Sequence, residues 1–319
     1  VESRRALFEG LIDYAGLFPP AGLEMQRAAE EYGSLRAGPW SWICGRFIVP
    51  ASRAFELVEQ LEDLADGGTI EPYRLSAIVD AGNDSRAWLA NATNALASLV
   101  KLGAEGLPAR VEALEVPVPP AIAARDTYDP VIGQFGMMAQ NAGLRELPIY
   151  IEIPRTQRWA ELLPGAMGAL ARAKFGAKIR CGGVTAEAFP SSEELAAFLR
   201  AALEENVAFK ATAGLHHPVR HRDAQTGFTM HGFLNILAAT IFIRDGLLDD
   251  EVVEILEERD EKAFVLAPDS FSWRHRNASL HQIQVARSSG FVSYGSCSIE
   301  EPVQDLIALG MLQAEKATA

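Results

Sequence analysis

Eight short apolar runs alternating with amphipathic stretches predict an α/β protein, a (β/α)8 TIM barrel with a long helical insertion before its last strand. The runs are rich in Ile, Val, Phe and Tyr and mostly end at Pro, Gly or Asp, as parallel strands buried on both faces do. The stretches between them carry apolar residues at helical spacing. No Gly-x-Gly-x-x-Gly turn occurs, which counts against an open dinucleotide-binding sheet.

Taken in order, the strands are expected at 10–14, 42–49, 73–80, 110–118, 148–153, 177–181, 208–212 and 291–296. Residues 51–65 read as a helix because Phe55, Leu57, Val58, Leu61 and Leu64 fall on one face, with Ser52 as N-cap. Residues 191–204 read likewise, opening with the Ser-x-x-Glu pattern of a capping box. From 218 to 290 the chain spends more than seventy residues where a barrel uses roughly 20–30 on a helix and its loops. That stretch holds an apolar helix near 229–244, an acidic amphipathic one near 249–259, and an apolar run at 264–267. This last run competes with 10–14 for the place of a barrel strand. The whole chain, 1–319, reads as a single TIM-barrel domain, with the insertion 218–290 as lid or oligomer surface.

The composition excludes several functions. A net charge of −13 with no Lys/Arg cluster argues against nucleic acid and anionic membranes as partners. No run reaches the roughly 18–20 apolar residues that span a bilayer. The first residues lack the apolar core of a signal peptide. Three widely spaced cysteines, Cys44, Cys181 and Cys297, suit a reducing cytosol better than a disulfide framework, so a cytoplasmic location is expected.

Two lysines stand out. Lys178 lies in Gly-Ala-Lys-Ile-Arg-Cys-Gly-Gly (176–183) and Lys210 in Ala-Phe-Lys-Ala-Thr-Ala-Gly (208–214), near the ends of consecutive strands. A lysine is costly to bury, and two adjacent cations each disfavour the charged form of the other. That is one way to keep an amine neutral and nucleophilic near pH 7. Strand alternation directs Asp13, Arg46, Glu115, Glu152, Lys178, Arg180 and Lys210 inward, a density of charge that survives burial only when paired. The loop carrying His216, His217 and His221 offers general acid–base groups or a grip for an anion; with Glu115 and Glu152 it could also supply metal ligands. Gly295, Ser296 and Ser298 form a small-residue turn into a helix, which either presents backbone N–H groups to an anion or is an ordinary cap with Ser298 as N-cap.

These segments resemble, in order, those of deoxyribose-phosphate aldolase and related class I aldolases. Lys178-Ile-Arg-Cys-Gly-Gly resembles that family's first lysine strand, and Phe209-Lys-Ala-Thr-Ala-Gly-Leu its second. Leu11-Ile-Asp-Tyr, Ile43-Cys44, Leu114-Glu-Val-Pro, Tyr150-Ile-Glu-Ile and Tyr294-Gly-Ser-Cys-Ser resemble further strands and the phosphate loop. The resemblance implies Lys178 as Schiff-base nucleophile, Lys210 as the lysine that depresses its pKa, Glu115 as proton relay in place of an aspartate, and Asp13 as electrostatic support. Gly183 replaces the family's phosphate-binding lysine, and the second lysine strand leads into His216, so the resemblance does not extend to a deoxyribose-phosphate substrate.

The function expected is a Schiff-base-forming aldolase or carbon–carbon lyase acting on a small anionic carbonyl compound, without cofactor and as a homo-oligomer. Arg180, with Arg46, Glu152, His216, Gly295, Ser296 and Ser298, would bind the substrate. Two alternatives are a metal-dependent lyase, isomerase or hydrolase built on Glu115, Glu152 and His216 or His217, and a non-catalytic metabolite-binding barrel.

Overall fold

The computed structural model describes residues 2–313 except 66–67, 69, 104–105, 120, 122–127, 157 and 225. Its strands are β1 (Ile12–Tyr14), β2 (Cys44–Pro50), β3 (Tyr73–Ile78), β4 (Ala109–Pro117), β5 (Ile149–Glu152), β6 (Gly176–Arg180), β7 (Phe209–Thr212), β8 (His221–Arg222), β9 (Thr229–Met230), β10 (Phe264–Leu266), β11 (Ser270–Trp273), β12 (Arg276–Ser279) and β13 (Phe291–Ser296). Strands β1 to β7 and β13 close into a barrel, β13 joining β7 to β1, with every pairing parallel. All eight barrel strands fall on the apolar runs read from the sequence. The run 10–14 is therefore a barrel strand. The competing run at 264–267 is not: β10 pairs antiparallel with β11, placing Phe264 opposite Trp273, and β12 completes a separate three-stranded sheet.

The helices pack on the barrel's outer face. Ser191 caps helix Ser192–Glu204 through the capping box its sequence announces, accepting from the Glu194 N–H while the Glu194 carboxylate accepts from the Ser191 N–H. In helix Ala54–Ala65, Leu57, Val58 and Leu61 are buried, but Phe55 and Leu64 are exposed, and Ser52 lies inside a preceding 3₁₀ turn rather than capping.

The insertion divides between the two ends of the barrel. Helix Phe233–Ile243 is buried at all eleven positions, packed against β13 and the helices Ser192–Glu204, Asp249–Glu257 and Leu280–Ser289. The β8–β9 hairpin stands at the C-terminal mouth, where Phe228 packs on Phe189 with ring centroids 5.3 Å apart. Strands β10–β12 and helix Leu280–Ser289 lie instead at the N-terminal end, where Arg287 donates to the Glu9 carbonyl and the Ser3 N–H to that of Pro268. Among the described residues no helix is long and apolar enough to cross a membrane.

Candidate active site

Register places the charged residues. Lys178 on β6 and Lys210 on β7 are direct cross-strand partners, and Glu152 on β5 is the partner of Lys178 on its other side. Glu115 comes inward from β4 and Asp13 from β1. All but Glu152 are at most 3% exposed, and Glu152 retains 14%.

The five groups form one connected network. Lys178 Nζ lies 2.7 Å from Glu115 Oε2 and 2.8 Å from Glu152 Oε2. Lys210 Nζ lies 2.5 Å from Glu115 Oε1 and 2.7 Å from Asp13 Oδ2, and donates to Ser76 Oγ at 3.1 Å. Glu115 thus stands between the two ammonium groups with one oxygen on each. Ser76 also donates to Glu115 (2.7 Å), Ser293 donates to Asp13 Oδ2 (2.8 Å), and the Arg46 backbone N–H donates to Asp13 Oδ1 (2.6 Å). The Tyr150 ring lies 5.5 Å below Lys210 Nζ, a cation–π distance.

This arrangement reverses the sign expected for Lys178. Burial pulls its pKa down, but the carboxylates of Glu115 and Glu152 outweigh burial, and the net shift is upward. Lys210 behaves alike: burial favours the neutral amine, and Asp13 and Glu115 overcome it. Burial pushes Glu115 and Glu152 towards protonation, but Lys178, with Lys210 on Glu115 and Arg180 on Glu152, outweighs it and lowers both. Lys178, Lys210, Glu115 and Glu152 are therefore all held in their charged forms, and Lys210 does not by itself depress Lys178, because a carboxylate lies between them.

A pH dependence of stability follows. The lowered carboxylates contribute stability above their unfolded pKa and lose it as pH falls through their folded values. The raised lysines contribute it below their unfolded pKa and lose it as pH rises through theirs. The network's contribution should be flat from about pH 5 to about pH 10 and disappear at both extremes. Denaturation midpoints measured across that range, with Glu115→Gln for comparison, check it; a contribution that changes near pH 7 would contradict it.

Gly45 shapes one wall. A Cβ there would lie 2.2 Å from Asp13 Oδ1 and 3.2 Å from the Ile12 carbonyl oxygen. Gly45→Ala should displace Asp13 and cost about 1–3 kcal/mol, the usual range for forcing a methyl into a packed interior. Calorimetry against a Gly133→Ala control, where nothing lies within 4 Å of the new Cβ, measures it.

The other expected site residues divide. Arg180 stands at the rim, half exposed, with Nε 3.4 Å from Glu152 Oε1. Arg46 is a correction: it faces the opposite end of the barrel, where its Nε lies 3.4 Å from Glu112, so it cannot grip a substrate at the mouth. His216 Nδ1 turns to Glu301 (3.2 Å), and His217 Nδ1 to Asp305 (2.6 Å), both on helix Glu300–Ala308. His221 packs edge-on against His217 at 4.4 Å. The metal site imagined from Glu115, Glu152 and His216 or His217 does not assemble, since the carboxylates hold Lys178 and the imidazoles hold Glu301 and Asp305. Among the described residues no three His, Cys, Asp or Glu side chains are grouped to hold a metal.

Gly295 pairs with Asp13 and Thr212 across the barrel end. Ser296 Oγ accepts from the Ser298 N–H (3.3 Å), and Ser298 Oγ accepts from the Glu301 N–H (3.2 Å), so these hydroxyls fasten the turn into helix Glu300–Ala308, whose N-cap is Ile299 and not the expected Ser298. Sequence reasoning missed Ser76, Ser293, Tyr150 and Gly45. Tyr150 and Ser293 carried a signal in strand alternation, two residues before Glu152 and Gly295 respectively; Ser76 and Gly45 carried none.

Comparison with solved structures finds the same architecture. The tetrameric deoxyribose phosphate aldolase of Aeropyrum pernix superposes with a TM-score of 0.51 over 97% of both chains, at 10% identity. Malate synthase of Haloferax volcanii gives 0.40 over 87% of this chain and 73% of its own, at 12% identity. No family model and no curated protein matches the sequence. At such identity the likeness to the aldolase is one of fold: an eight-stranded parallel barrel matched along nearly its whole length.

Proposed function

We propose that this protein is a Schiff-base-forming aldolase or related carbon–carbon lyase for a small anionic carbonyl compound. One observation carries the reading: two lysines on adjacent barrel strands are bridged by a single buried carboxylate, with a second carboxylate on each. The aldolase resemblance in sequence and the shared fold support it.

Lys178 is the nucleophile. Its ammonium must first lose a proton, and Glu115 and Glu152 both touch it. Glu152, nearer solvent, also holds Arg180. A substrate carboxylate or phosphate taking Arg180 as a bidentate partner would draw that guanidinium from Glu152 and free it to accept the proton. The neutral amine adds to the carbonyl, and the resulting carbinolamine loses water to give an iminium. A carboxylate of the site takes the proton of the substrate's β-hydroxyl, whose oxygen becomes the carbonyl of the departing fragment, while the iminium takes up the electron pair of the breaking carbon–carbon bond and becomes an enamine. Proton return to carbon and hydrolysis then restore Lys178. Glu115 relays protons, while Lys210 and Asp13 keep its charge balanced at each stage. The β8–β9 hairpin at the mouth is the part of the insertion suited to covering the substrate, and assembly into a homo-oligomer is part of the proposal, as is a cytoplasmic location.

The test is incubation with a panel of small aldehydes and keto acids in the presence of borohydride, followed by peptide mass mapping. A reduced adduct on the peptide carrying Lys178 is expected, with its yield rising as pH rises. An adduct confined to Lys210 would reverse the assignment. No adduct from any carbonyl compound would leave a metabolite-binding barrel with its lysines locked in ion pairs.

A further inference from the structure

At the end of the barrel opposite the lysine mouth, a cavity of about 930 Å³ opens beside helix Glu2–Phe8, the starts of β2 and β3, and helix Leu280–Ser289. Arg46, Arg74 and Arg287 line it together with the Arg5–Glu9 ion pair, Glu2, Gly45 and Tyr150. Its volume lies within the usual range of ligand pockets.

The charges in and beside this cavity do not balance. Arg46, Arg74 and Arg110 surround one carboxylate, Glu112, at 3.4, 3.0 and 2.8 Å, and among the described residues none has another carboxylate partner. Three guanidiniums on one carboxylate leave two positive charges over. Arg287 adds a third and Glu2 offsets one, while Arg5 and Glu9 cancel as a pair 3.0 Å apart, so five guanidiniums face three carboxylates. Among the described residues Arg287 donates to main-chain carbonyls, those of Glu9 (3.0 Å), Val292 (2.6 Å) and Phe291. The Nε atoms of Arg46 and Arg287 are enclosed, yet neither makes a hydrogen bond among the described residues. In a chain of net charge −13, crowding like charges in a part-buried site is costly unless an anion completes it. Planar guanidinium forks match oxyanions, which accept paired hydrogen bonds from them.

We propose that this cavity binds a small polyanion, a phosphate ester or a di- or tricarboxylate, on Arg46, Arg74 and Arg287. The occupant would sit one residue layer from the buried network, because Gly45 abuts Asp13 and the Tyr150 ring lies against Lys210. The site is independent of the amine chemistry at the mouth.

Isothermal titration at low ionic strength with pyrophosphate, and separately with citrate, tests it. Saturable binding at one ion per chain is expected for at least one probe, and which one binds separates the phosphate from the carboxylate class. Arg46→Gln and Arg74→Gln should each weaken it on the order of tenfold or more, as losing charged hydrogen bonds does. Glu112→Gln should tighten it, a change that misfolding cannot imitate. Arg180→Gln at the mouth should leave it unchanged. No saturable binding of either probe overturns the proposal. So does a loss in Arg180→Gln equal to that in Arg74→Gln, which would move the anion to the mouth.

Discussion

Glu115→Gln should lower folding stability by about 3–5 kcal/mol, the usual cost of removing one partner from a buried ion pair. The reason is geometric. Glu115 is fully buried and places one oxygen on Lys178 and the other on Lys210. The amide keeps the shape but loses the charge, leaving two buried ammonium groups facing each other across a neutral side chain. Each retains one carboxylate, Glu152 or Asp13, so the fold should survive. With one opposing charge gone, burial gains weight and the Lys178 pKa must fall. The same substitution should therefore move the pH dependence of borohydride-trapped adduct towards lower pH while reducing denaturant resistance. Glu56→Gln, which breaks the exposed Arg53–Glu56 pair, should cost no more than about 1 kcal/mol. Equal effects from the two substitutions would mean that the buried network is worth no more than a surface pair.

The eight barrel strands were legible because each is a parallel strand buried on both faces, which leaves an apolar run ended by a breaker. The paired lysines were legible for a related reason: consecutive strands of a barrel are neighbours, so equivalent positions on them meet. Two things broke the reading. Strand alternation fails at irregularities, and β1–β2 and β3–β4 each carry one. The first lies at Gly45–Arg46, where the Arg46 N–H is turned to Asp13 and its side chain to the far end. The second lies at Glu112, which lets Glu112 and Glu115 both serve the interior although they are three residues apart. Neither bulge leaves a mark in composition. The sign of the lysine coupling was also hidden. Two lysines in sequence suggest repulsion, and only the fold shows Glu115 arriving between them from β4, two strands from Lys178 and three from Lys210. The sheet β10–β12 escaped because its strands are only three or four residues long, with Arg274 at φ 50° turning the chain between two of them.

Lys178→Arg separates chemistry from architecture more cleanly than deletion does. A guanidinium keeps the positive charge between Glu115 and Glu152, and it can bond both carboxylates. The larger head in a site only 3% exposed should cost about 1–3 kcal/mol, well short of unfolding the barrel. Arginine stays protonated under all working conditions and cannot add to a carbonyl. If Lys178 is the nucleophile, turnover should fall on the order of 10⁴-fold or more, and no reduced adduct should form on any peptide. Lys178→Met removes charge and nucleophile together, so it should lose activity equally but also be less stable than Lys178→Arg, with Glu115 and Glu152 left facing each other. Lys210→Arg is the counterpart: charge balance on Asp13 and Glu115 is kept, the nucleophile remains, and the adduct should still map to Lys178, formed more slowly. A barrel whose lysines serve packing alone gives another pattern. In that case Lys178→Arg and Lys210→Arg would be interchangeable, and any ligand bound by the wild type would still be bound by both. Near-normal turnover in Lys178→Arg would exclude a Schiff base on that residue, because no guanidinium could supply the electron sink that the carbon–carbon bond requires.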